Sequence, residues 1–270
     1  MKKEIIYLII LVIFISLFGL LVLKKQVKKE NTNPYQEFSF YKENNLERYK
    51  KYYLNNNYSY KNVVLRVNMN LDNSFYTNTN ETKDFNLLML VNKYNYVNND
   101  FKPTDLVKVS KFAVNNMYLN KTCMEAFISL ASNALKEGYN IRAISTYRTY
   151  DYQNNLYNKY AKKDGVDKAD TYSARPGFSE HHTGLAIDVD NIKTNFNNFE
   201  NTNEFKWMQE NAYKYGFILR FPKNKENITG YQYESWHYRY VGKKIAKYIH
   251  DKNITFEEYY VRFIEPKFQK

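Results

Sequence analysis

Ser179-Glu180-His181-His182-Thr183-Gly184-Leu185-Ala186-Ile187-Asp188 is the stretch on which the reading of this chain turns. It sets an imidazole and a carboxylate seven residues apart. From Leu185 to Asp190 the residues alternate, with Ala186, Asp188 and Asp190 on one face and Leu185, Ile187 and Val189 on the other, which predicts a strand. Gly184 lets the backbone reverse just before it, so His181 lies on the turn that feeds the strand carrying Asp188. Near the C-terminus comes a second cluster, Glu234-Ser235-Trp236-His237. The chain has four histidines, and three of them fall in these two stretches.

Two histidines, one aspartate and one spare glutamate are the set a catalytic zinc needs. Three side chains hold the ion, a water takes the fourth position, and a carboxylate stays off the metal. His181, Asp188 and His237 are the predicted ligands. Glu234 precedes His237 by three residues, so a bend between them is needed to bring both to one place. Zinc lowers the pKa of a bound water to about 7, and a carboxylate base can then take its proton. Taken alone, His181 reads as an ordinary structural histidine; the company of Asp188, Gly184, Glu234 and His237 reverses that. His182 points the other way from His181 in an extended segment and is left out of the ligand set. His250 sits on a Lys-rich helix and reads as a surface residue. Asp190 shares the face of Asp188, and its role stays open between supporting the site and simple solvation.

Further out, Ser145-Thr146-Tyr147-Arg148-Thr149 places Arg148 just past a strand. A guanidinium there suits a planar carboxylate or a developing oxyanion, and Gln153 can add an amide contact. Trp236, locked between Glu234 and His237, is the one aromatic residue assigned to substrate rather than to core.

The remaining sequence predicts an α+β domain with a small antiparallel sheet and flanking helices. Helices are expected over 122–137, 150–162, 204–215 and 243–250, with a last one opened by a Thr255/Glu258 capping box. A second capping box is read at Thr122/Glu125. Strands are expected at 140–147, 185–190, 217–221 and 236–241, and also at 63–69 and 87–91. Cys123, the single cysteine, lies in an apolar helical pattern and reads as a buried small hydrophobe; no intrachain disulfide is possible.

The N-terminus differs in kind. Ile5 to Leu23 carries no charge, and a helix of that length spans roughly 29 Å, about one bilayer core. The expected organisation is a membrane anchor with basic flanks over 1–29, a polar spacer and extension over 30–87, and a catalytic domain over 88–270. The lysines that follow the apolar run argue for an inside location, but large domains translocate largely regardless of charge. The expectation is a single-pass membrane protein with its catalytic domain outside the cytoplasm. The formal charge of +12 suits an anionic extracellular polymer. No zinc finger, RNP-type motif or basic helix points to nucleic acid.

Ser179-x-His181-x-x-Gly184-x-Ala186-x-Asp188 followed by Glu234-x-x-His237 resembles the zinc D-alanyl-D-alanine carboxypeptidases of the VanY type and the related L,D-carboxypeptidases of the LdcB/DacB type. The likeness extends through Ser145-x-Tyr147-Arg148-x-x-x-x-Gln153, Ser173-Ala174-Arg175-Pro176-Gly177 and Trp236-His237-Tyr238-Arg239-Tyr240-Val241. It implies an LAS-type fold, like that of hedgehog and D,D-peptidases, with one zinc on His181, Asp188 and His237 and with Glu234 as base. It also implies that Arg148, Gln153 and Ser173 bind the substrate's carboxylate or main chain. The substrate so implied is a peptidoglycan stem peptide that loses a C-terminal D-alanine. An endopeptidase or dipeptidase of the same fold, and a wall-binding module that keeps the metal only for stability, are the competing readings.

Overall fold

The structure, a computed structural model, describes residues 13–19, 33–193 and 195–268. At its centre is a four-stranded antiparallel sheet. The strands are Arg142–Ser145 (β1), Ala186–Asp190 (β2), Phe217–Leu219 (β3) and His237–Tyr240 (β4), in the spatial order β1-β2-β4-β3. Pairing sets Asp188 opposite His237, and Ala186 opposite Arg239. Between β1 and β2 the register shifts after Ala143, so that Ser145 comes to lie across from Asp188. That irregularity carries the chain beyond β1 over the same spot, which is where Arg148 is needed.

One face of the sheet is covered by helix α1 (Lys121–Lys136), whose Cys123, Phe127, Leu130, Ala131 and Ala134 are buried against Leu185, Ile187 and Val189. Their i, i+4, i+7, i+8 spacing makes one apolar stripe. The thiol of Cys123 is fully enclosed, and burial pushes its pKa up. Thr122 is not the N-cap that a Thr122/Glu125 capping box requires. The helix begins one residue earlier, and Asn120 caps it, its Oδ1 accepting from the backbone N–H of Thr122 at 3.1 Å. Asn120 also donates its own N–H to the carbonyl of Gly184, so the cap is tied to the turn before β2.

Helix α2 (Tyr150–Asp164) and helix α3 (Asn203–Asn211) follow the predicted periodicity. The predicted 204–215 helix tightens into a 3₁₀ turn over Ala212–Tyr215 before Gly216 ends it in the left-handed region. Helix α4 (Lys243–Lys252) and the Thr255/Glu258 capping box are as expected.

Two strand expectations are overturned. Residues 63–69 lie mostly in a helix, Tyr60–Asn68, opened by Ser59. The run Val63-Val64-Leu65-x-Val67 favours a strand locally. Burial decides otherwise: Val63, Val64 and Val67 are enclosed in a small core with Tyr49 and Val261. Residues 87–91 form no ladder; a turn at Leu87–Leu88 leads into an irregular segment. Two of its carbonyls, those of Leu87 and Met89, are taken by the guanidinium of Arg239. Among the described residues, the 30–87 region includes the helices Leu46–Asn55 and Tyr60–Asn68, which share a small core with Val261.

Of the expected anchor helix over 5–23, residues 13–19 are helical and exposed, and the remainder lies outside the described residues. Among the described residues no helix is long and apolar enough to cross a membrane.

Candidate metal centre and cleft

β2 and β4 bring the first two candidate ligands together by strand pairing alone. Asp188 and His237 are directly opposed, with Oδ1 3.2 Å from Nδ1. The third comes from the turn before β2. Ser179 caps a short 3₁₀ turn over Glu180–Thr183, and Gly184 closes it with φ +67°. A Cβ at Gly184 would stand 2.8 Å from Leu106 Cδ2 and 3.1 Å from the Asn120 nitrogen, so glycine is required there for space as well as conformation. The turn delivers His181 Nε2 to within 3.3 Å of Asp188 Oδ2. One donor atom from each of His181, Asp188 and His237 lies within 4.8 Å of the others, and all three residues are buried.

The hydrogen bonds fix which atoms are free to bind. His181 Nδ1 sits 2.6 Å from the carbonyl oxygen of Thr146. A carbonyl only accepts, so that nitrogen carries the proton and Nε2 keeps its lone pair. Asp188 Oδ1 is buried, makes no hydrogen bond and faces His237 Nδ1. Buried polar atoms without partners are costly, and two nitrogens with an oxygen around one point form the donor set of a catalytic zinc site. The residues fit the ion.

Glu234 stands beside this group without joining it. Its Oε2 is 3.5 Å from His237 Nδ1, and the expected bend is present as a turn at Ser235–Trp236. Burial is the main cause that raises its carboxyl to about 7, against the opposing pull of His237. His181 moves the other way: burial and then the Arg148 charge lower it to about 4. Burial also disfavours charge on His237, but Asp188, Glu180 and Glu234 outweigh it and raise the imidazole to about 9. Asp188 is held well below the usual range by His181, His237 and Arg148 despite burial.

Arg148 is committed in several directions. Its Nη2 donates to Asp188 Oδ2 and to Ser145 Oγ, both at 2.8 Å, and its Nη1 lies 3.3 Å from Gln153 Oε1. Gln153 in turn donates Nε2 to the carbonyl of Ala174 at 2.8 Å. Its amide therefore braces Arg148 and the 173–174 loop at once. His182, set aside as a ligand, braces the same arginine from behind. Its Nδ1 donates to the Arg148 carbonyl at 2.8 Å, and its Nε2 accepts from Gly177 N–H at 3.1 Å.

All of these side chains except His182 open on a cleft of about 430 Å³, which Ser173 and Trp236 also line. Phe196 stands edge-on to Trp236 with ring centroids 5.1 Å apart and completes that wall; no sequence pattern marked it. Asp190 does not line the cleft. His250 is exposed and stacks on Tyr213 at 4.0 Å, as a surface residue.

Glu180 escaped the sequence reading although it adjoins His181. It is buried and accepts from Arg220 Nε at 2.8 Å and Arg239 Nη1 at 3.0 Å. Burial would raise its carboxyl, but Arg220, Arg239 and His237 hold it well below the usual range.

A family model described as D-alanyl-D-alanine carboxypeptidase, VanY, matches residues 116–243. The putative carboxypeptidase YodJ of Bacillus subtilis (strain 168) is 44% identical over 183 residues, 65% of this chain and 67% of that protein. Among solved structures, the LdcB LD-carboxypeptidase is similar with a TM-score of 0.62 and 43% identity, covering 66% of this chain and 86% of that one. A mutant of the vancomycin-resistance D,D-pentapeptidase VanY from a VanB-type cassette, in complex with Zn(II), gives a TM-score of 0.57 and 31% identity. That match covers 64% of this chain and 98% of the other.

Proposed function

Because this chain belongs to the VanY family of D-alanyl-D-alanine carboxypeptidases, we propose that it removes the C-terminal D-alanine from peptidoglycan stem peptides. It is a zinc metallocarboxypeptidase, and His181, Asp188 and His237 are the side chains we assign to the ion. When bound, zinc supplies the Lewis acidity that activates water and polarises the scissile carbonyl. Glu234 takes the proton of the attacking water and hands it to the leaving amine. Burial raises the Glu234 carboxyl above the ordinary glutamate range, the direction that suits a group that takes up and returns a proton. Arg148, braced by Gln153 and Ser145, presents its guanidinium to the cleft for the substrate's terminal carboxylate or the oxyanion. Ser173 and Trp236 are assigned to the peptide main chain and its side-chain wall.

The observation that carries the reading is a buried carboxylate beside, but outside, the His/Asp/His group. A metal site kept for stability has no use for it. The proposal extends to an anchor over 1–29, an extension over 30–87 and a catalytic part over 88–270 facing the wall. Protease treatment of intact cells tests that placement, since a shielded catalytic part contradicts it. Activity is tested by incubating the protein with tetra- and pentapeptide stems, with and without chelator, and weighing the products. Loss of one alanine, abolished by chelator, is expected; internal cleavage would favour the endopeptidase reading.

A further inference from the structure

Behind the metal-binding side chains lies a buried set of four charges. Glu180, Arg220, Arg239 and Glu257 are each no more than 4% exposed. Glu257 grips the guanidinium of Arg220 with both oxygens, Oε2 to Nη1 at 2.9 Å and Oε1 to Nη2 at 2.5 Å. Arg220 Nε and Arg239 Nη1 converge on a single oxygen, Oε1 of Glu180. The other oxygen, Oε2, is fully buried and makes no hydrogen bond. It lies 3.7 Å from Nε2 of His237, which likewise makes none.

We propose that Glu180, held in place by Arg220 and Glu257, is a positioning residue that keeps the proton of His237 on Nε2 and so presents Nδ1 to the cation. The inference rests on the metal-site reading above. Two carboxylates and two guanidiniums make the set neutral as a whole, which is what allows four charges to sit out of water. With Oε1 saturated by two donors, Glu180 can turn only Oε2 toward the ring. An ionised oxygen accepts and does not donate, so the facing nitrogen must be the protonated one. The tautomer left has its lone pair on Nδ1, the atom beside Asp188. A set that only closed the core would have no reason to leave these two atoms unpaired and facing each other.

The device draws in parts of the chain outside the residues matched by the family model. Glu257 lies in the turn of helix opened by Thr255, and Asn92 Nδ2 contacts its Oε1 at 3.3 Å. Arg239 is fixed through the carbonyls of Leu87 and Met89. The C-terminal helix and the 87–92 segment thereby bear on how firmly the metal is held.

The test is zinc affinity of the full chain, read by competition with a chromogenic chelator, together with the visible spectrum of the cobalt-substituted protein. Both are measured at a temperature where the metal-free protein is folded. Glu180→Gln is expected to weaken zinc binding roughly 10- to 100-fold and to shift the cobalt bands. Glu257→Gln should move both in the same direction by a smaller factor. Lower melting temperature with wild-type zinc affinity and an unchanged cobalt spectrum would overturn the proposal, leaving the set purely structural. If Glu180→Gln does not fold, Glu257→Gln decides by the same criterion. Neither readout involves a substrate, so a failed peptidase assay and a failed positioning role are distinguishable.

Discussion

Asp188 and His237 face each other across adjacent antiparallel strands, with Oδ1 and Nδ1 3.2 Å apart. Strand pairing, rather than loop closure, therefore fixes two of the three candidate metal donors. A slip of either strand by one residue would turn that strand's donor away from the cleft. His181 is the adjustable member, carried on a turn that Gly184 alone can close.

Gly184→Ala should therefore cost stability and metal together. Its φ of +67° and the close approach of Leu106 and Asn120 predict a loss of at least about 2 kcal/mol. Denaturant unfolding of the metal-free protein measures this, and a change below about 0.5 kcal/mol would count against the packing described.

Glu234→Gln should leave zinc bound and the fold intact while lowering kcat by about 10²- to 10⁴-fold. Metal content and steady-state kinetics on the same preparation check it. Wild-type kcat in that variant removes Glu234 as the base.

Zinc binding should release protons near neutral pH. His237, raised to about 9, is charged in the metal-free protein at pH 7, whereas His181, lowered to about 4, is already neutral. Binding through Nδ1 displaces the proton of His237, so affinity should climb roughly tenfold per pH unit from 6 to 8. Glu234, near 7, can add to that slope at its lower end. Dissociation constants measured across this range test the sign; an affinity independent of pH contradicts it.

Arg148→Ala should weaken substrates with a free C-terminal carboxylate far more than their amides, by roughly 10-fold or more in kcat/KM. Because Arg148 also touches Asp188, zinc content must be measured alongside. Equal losses on both substrates would assign the arginine to the metal site alone.

Much of the site was legible in the sequence because its spacing is local. His181, Gly184 and Asp188 lie within one turn and strand, and Glu234 with His237 within one bend. The helix over residues 60–68 was not legible, since its valines favour a strand and only burial against Tyr49 and Val261 makes it helical. The role of Glu180 was hidden for a different reason. It depends on Arg220, 40 positions along the chain, and on Glu257 beyond that, and no local pattern records such a convergence. Gln153 was visible as a polar residue near Arg148. That its amide is spent on Arg148 and Ala174 could be known only from the fold.

One zinc, held by His181, Asp188 and His237, is proposed to make this protein a carboxypeptidase. The most direct test is elemental analysis and pentapeptide turnover on one preparation, before chelation, after it, and after zinc is returned. One zinc per chain, no release of D-alanine without it, and recovery on reloading are expected. Sustained release of D-alanine by protein stripped of metal would contradict it.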